Sequence, residues 1–175
     1  MRRLAVLILC LILPSCLMAQ GMVTLGLLGG GALIYETMQG EEAKVRTAWT
    51  GEASAGYLFR LSDSILLGPQ AGVVWTGRTN IVHRNFYAAS IQSELALALL
   101  FETEGHSAFS LALAAGLGSC IDTDIFATSL KLSFQYHWRI VKALSLTAGL
   151  DARLTHDGPS AVLSLGLTTL IGVGQ

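Results

Sequence analysis

Between Ser129 and Arg139 the chain alternates without a break. Leu130, Leu132, Phe134, Tyr136 and Trp138 are apolar or aromatic, while Ser129, Lys131, Ser133, Gln135, His137 and Arg139 are polar. A strict period of two describes a strand whose two faces meet different media. The run is longer than an ordinary soluble strand, and its apolar side closes on two aromatics. Both features suit a strand crossing a lipid bilayer with water or protein behind it.

The same pattern predicts eight strands separated by turn signals. They are Met22–Thr37, Arg46–Leu61, Ile65–Gly77, Phe86–Phe101, Ser107–Ile121, Phe126–Arg139, Leu144–Thr155 and Ala161–Val173. Parity sorts the side chains. Trp49, Ala53, Ala55, Tyr57 and Phe59 share one face of the second strand, with Glu52 and Arg60 on the other. Ile91, Leu95, Leu97, Leu99 and Phe101 lie opposite Glu94. Leu144, Leu146, Ala148, Leu150, Ala152 and Leu154 lie opposite Asp151 and Arg153. No charge within a strand shares the apolar face, where it would cost roughly 2–4 kcal/mol at mid-membrane. The fold class expected is all-β: an eight-stranded antiparallel up-and-down transmembrane barrel.

Aromatic placement adds two girdles at the strand ends, as the two membrane interfaces select. Tyr35, Trp49, Trp75, Phe86, Tyr87 and Phe126 fall toward one rim. Tyr57, Phe59, Phe101, Phe109, Tyr136 and Trp138 fall toward the other, with Phe134 deeper. Two segments fit less simply. Leu95–Leu100 and Ala112–Ala115 favour helix in isolation, and Pro69 inside the third strand predicts a bulge or a late start to pairing.

Composition narrows the class. Of 175 residues 52% are hydrophobic and only 13% charged, with a net charge of −1. Beyond the N-terminus no apolar run reaches the ~18 residues a spanning helix needs, and no basic run invites nucleic acid. Residues 1–19 read as a signal peptide: Arg2 and Arg3, an apolar core Leu4–Leu13, then cleavage after Ala19. A lipoprotein signal ending at Cys16 is the competing reading. Residues 20–175 form the barrel domain, and Cys120 alone cannot make an internal disulfide.

Inward parity gathers Glu52, Glu94, Lys131, Asp151 and Arg153 near or above mid-barrel. A three-residue turn at Ile140–Lys142 would set Lys131 opposite Asp151 as a cross-strand ion pair. These charges either plug the barrel or gate a narrow polar path. Arg60, His137 and Arg139 form a basic cluster at the inner rim. Small inward residues on the fifth strand (Ala108, Ser110, Ala112, Ala114, Gly116, Gly118) and the eighth (Ser164, Gly166, Thr168) admit large neighbours or leave a void. Leu28, Leu58, Val74 and Leu100 would make such a void partly hydrophobic.

On these features the chain resembles the small eight-stranded outer-membrane barrels, the group holding the OmpA transmembrane domain, OmpX and OmpW. The resemblance covers nearly all of the mature chain and rests on architecture. It implies an outer-membrane location in a diderm cell and a monomer whose partners are membrane lipids, the envelope assembly machinery and a small solute. A narrow channel, for hydrophobic solutes in OmpW-like barrels, or a membrane-reinforcing barrel is the function implied. Adhesion through the outer loops is the alternative. The final strand ends Leu170-Ile171-Gly172-Val173 without the terminal aromatic usual in that group. His83, His106, His137 and His156 lack the His-x-Ser spacing of lipid A deacylase barrels, so neither an enzyme nor a cofactor is expected.

Overall fold

A bilayer offers no hydrogen-bond partners, so a strand that enters it must pair on both edges, and only closure gives every strand two neighbours. The computed structural model describes residues 20–36, 44–78, 89–103, 106–121, 126–155 and 158–173, which form such a closed sheet. Its strands are β1 (Gly21–Glu36), β2 (Lys44–Arg60), β3 (Ile65–Arg78), β4 (Ser90–Glu102), β5 (Ser107–Cys120), β6 (Phe126–Val141), β7 (Leu144–Thr155) and β8 (Gly158–Val173). Each pairs antiparallel with its sequence neighbour, and β8 returns to β1. Residues 1–19, Phe86 and Tyr87 lie outside the described residues, so the signal segment and two girdle aromatics are not placed.

Pairing staggers as it goes round. From Thr24 the partners run through Gly56, Gln70, Ala96, Ala114, Lys131, Arg153 and Ser160, and return to β1 at Ile34, ten residues further along. A stagger of this kind tilts the strands to the barrel axis, typically by about 35–45°. The Ala- and Leu-rich stretches of β4 and β5 are strands despite their helical preference, because pairing is the condition for residing in lipid.

Outward positions carry Leu27, Leu95, Leu163 and Leu165, each more than 60% exposed, and among the described side chains no outward strand position holds a charge. In water so large an apolar surface would drive association; in lipid it is the solvated side. The expected aromatics are outward too. Tyr35, Trp49, Trp75 and Phe126 lie toward the end away from the start of β1. Tyr57 and Phe59 meet edge to face, and Phe109 packs against Phe134 and Tyr136 toward the inner end, where β1 starts and β8 finishes. Phe101 and Trp138 join them there, paired across from Phe109 and Ser107.

Inside, the layers differ. Met22, Leu58, Leu66, Ala98, Leu100, Ala108 and Leu170 make an apolar plug at the inner end, with Leu58, Leu66 and Leu100 at most 1% exposed. Ala32, Ile34, Ala48 and Val162 form a smaller apolar cluster toward the outer end. Polar and charged residues lie between the two.

Two expectations about the backbone change. Pro69 causes no bulge. The β2–β3 ladder lapses between Gly56↔Gln70 and Phe59↔Leu67 and resumes in the same register, while Pro69 still pairs with Leu97 of β4. The missing donor falls on the β2 side alone. The β6–β7 connection is also tighter than expected. β6 continues to Val141, the turn is Lys142 and Ala143, and the register shifts between Arg139 and Val141.

Closure of the β1–β8 seam depends on glycine. A β-carbon on Gly30 would collide with the Leu163 carbonyl, and one on Gly166 with that of Leu27, whereas one on Gly29 would meet nothing. Gly30→Val is therefore expected to destabilise the barrel by about 1–3 kcal/mol and lower its yield on refolding in detergent, with Gly29→Ala neutral. Heat-modifiable gel mobility checks both.

Candidate functional site in the barrel interior

Register decides which inward charges meet. Lys131 stands opposite Arg153, and Asp151 opposite Ser133. The expected pair of Lys131 with Asp151 is thus corrected: the extension of β6 to Val141, combined with the one-residue shift between Arg139 and Val141, sets β7 two residues along. Like charges directly opposite repel, so each cation turns to carboxylates elsewhere. Lys131 Nζ lies 2.9 Å from Glu52 Oε2 and 2.5 Å from Glu94 Oε2. Arg153 Nη2 lies 2.8 Å from Asp151 Oδ2 and 3.3 Å from Glu52 Oε2. Ser133 donates to Asp151 Oδ1 at 2.6 Å. Glu52, Glu94, Lys131, Asp151 and Arg153 therefore form one connected cluster, with Glu52 shared by both cations.

The small residues of β5 have a role here. Ala114 lies between Lys131 and Ala96, and Gly116 between Glu94 and Ser129. A β-carbon on Gly116 would strike the Ser129 hydroxyl and crowd the Glu94 side chain. The lack of bulk on β5 lets Lys131 reach across it to Glu94 on β4.

Nearer the inner plug is a second polar set. Ser110 Oγ lies 2.9 Å from His137 Nε2, His137 Nδ1 lies 3.0 Å from Thr147 Oγ1, and Thr147 donates to Thr168 Oγ1 at 2.9 Å. Thr147 has one proton and gives it to Thr168, so it accepts from His137 Nδ1–H. A neutral imidazole then accepts the Ser110 hydroxyl at Nε2, and the chain stitches β5, β6, β7 and β8 together. It begins like a serine–histidine pair, yet a threonine occupies the place where a hydrolase sets a carboxylate.

His137 is thus buried, at 3% exposure, rather than part of a solvated basic rim. Burial separates it from Arg60 and Arg139, which converge instead on Glu102 at 3.0 and 3.6 Å. Those two contacts are partly exposed and contribute little to stability.

Two cavities adjoin along the axis, both lined by Ser54, Gln70 and Gln135. The upper also touches Glu52, Glu94, Lys131 and Ser133 and measures about 20 Å³. The lower, also about 20 Å³, touches Thr24, Ser110 and His137 above Leu58 and Leu100. About 10–15 Å³ of such space holds one water. The small inward residues accordingly admit large neighbours; the void left beside them is of water size.

A closed all-β barrel of eight antiparallel strands, apolar outside and charged within, has the architecture of a small transmembrane barrel. Solved structures agree in fold. Ail, the attachment invasion locus protein of Yersinia pestis, superposes with a TM-score of 0.54 at 13% identity, over 86% of this chain and 99% of that one. Neisserial surface protein A gives 0.55 at 12% identity, over 84% and 96%. At these identities the likeness is one of architecture. No family model matches the sequence, and no curated protein does.

Sequence parity places Ser110, His137 and Thr168 on the inner face but does not single out Thr147 or link the four, because strand register is needed to show which of them touch. The charge cluster gives a direct expectation. Lys131→Met leaves Glu52 and Glu94 without their shared ammonium and should destabilise the barrel by roughly 3–5 kcal/mol. Adding Glu94→Gln to that variant should recover part of the loss. Urea unfolding in detergent micelles measures both.

Proposed function

We propose that the protein is an integral outer-membrane barrel with a sealed interior, which reinforces the membrane through its lipid-facing wall rather than passing solutes. The observation that carries this reading is the inner plug, where Leu58, Leu66 and Leu100 are essentially excluded from solvent. Above it, two water-sized cavities lie among the described interior side chains. A solute larger than water would have to displace both the plug and the salt-bridged cluster, each of which stabilises the closed state. Outer-membrane placement is supported by the uncharged apolar wall and by the barrel architecture shared with Ail and Neisserial surface protein A. Membrane lipids are its partners, and each barrel is complete as a monomer because β8 closes on β1.

Conductance across a planar bilayer tests the reading. The purified protein should insert without producing channels, and a measurable conductance should open only when both barriers are cut, by Leu58→Gly and Leu100→Gly in the plug together with Lys131→Met in the charge cluster. Steady channels from the unaltered protein would contradict a sealed interior, and altered conductance in Lys131→Met would then favour a salt-bridge gate.

A further inference from the structure

The central charge cluster does not balance. Glu52, Glu94 and Asp151 supply three carboxylates against the two cations Lys131 and Arg153. Surplus charge in a closed interior is costly unless it is compensated. Glu94 is where compensation is missing. Its side chain is 3% exposed and its Oε2 is taken by Lys131, but its Oε1 has no hydrogen-bond partner and the residue lines the upper cavity.

The two amides that line the cavity also spend their donors elsewhere. Ser133 gives its single proton to Asp151 and must therefore accept from Gln135 Nε2, which turns the Gln135 carbonyl away from it. Gln70 likewise directs Nε2 to Thr24. No described residue donates to either carbonyl oxygen. A single water brings two protons and no charge to three such acceptors. A cation meets all of them and cancels the surplus.

We propose that the upper cavity binds a monovalent inorganic cation of sodium or potassium size at Glu94 Oε1, with the side-chain oxygens of Gln70 and Gln135 beside it. Hard cations take oxygen ligands. Among the described residues no three His, Cys, Asp or Glu side chains converge as a metal-binding set, so one carboxylate with neutral oxygens suits a monovalent ion. Lys131 occupies the other Glu94 oxygen and leaves Oε1 free. The inference rests on the sealed-barrel reading, because only a closed interior keeps this cavity from bulk water.

The test compares thermal unfolding of the refolded full chain in sodium chloride and in choline chloride at equal ionic strength. Sodium should raise the midpoint by about 3 °C when it saturates the site. Glu94→Gln, which retains an acceptor for Lys131 but removes the surplus charge, should abolish that difference. Crystals of the unaltered protein grown with thallium(I) should show an anomalous peak beside Glu94, which keeps the test independent of any variant's folding. Equal midpoints in the two salts, a sodium effect that survives Glu94→Gln, or an ordered water without anomalous signal would each overturn the proposal. Closure is read separately by conductance, so failure of the site and failure of the sealed barrel are distinguishable.

Discussion

Everything in this molecule follows from placing a polypeptide backbone where no water can bond to it. A lone strand in hydrocarbon leaves peptide groups unpaired at several kcal/mol each. The β1–β8 pairing is what removes the last two edges. Once the sheet closes, alternate residues have no choice of medium. Among the described side chains, odd positions of β1–β5 and β8, and even positions of β6 and β7, meet lipid; the others are enclosed, except Val141 beyond the register shift, which is exposed. The glycines at the β1–β8 seam belong to the same constraint, since they let two strands approach where side chains would hold them apart.

The enclosed side had to be filled with side chains of only eight strands, and it is filled in layers. Apolar residues occupy both ends, and the charges are kept between them, where each finds partners across the lumen. Enclosure makes those partnerships matter, because a buried ion that loses its partner is far more costly than an exposed one. The rim arginines Arg60 and Arg139 share Glu102 in partial contact with solvent and are correspondingly weak contributors.

Sequence parity was sufficient for the strand count, for the outward aromatics Trp49, Trp75 and Trp138, and for the inward charges. A period of two is set by local backbone geometry, so it survives without knowledge of the fold. Pairings between strands were less legible. Extending β6 to Val141, with the register shift beyond Arg139, moved Lys131 from Asp151 to Arg153. Turn geometry fixes that register, and the residues Ile140 to Ala143 carry no strong turn signal. His137 was assigned to the correct face, but its burial depended on Ser110 and Thr147, contributed by strands on either side.

All three tryptophans of the chain, Trp49, Trp75 and Trp138, lie on the outward face. Intrinsic fluorescence therefore reports on that face alone. In vesicles containing lipids brominated along their acyl chains, emission should be strongly quenched, while aqueous acrylamide should have little effect. Efficient acrylamide quenching with no response to brominated lipid would contradict the assignment of the apolar wall to the membrane.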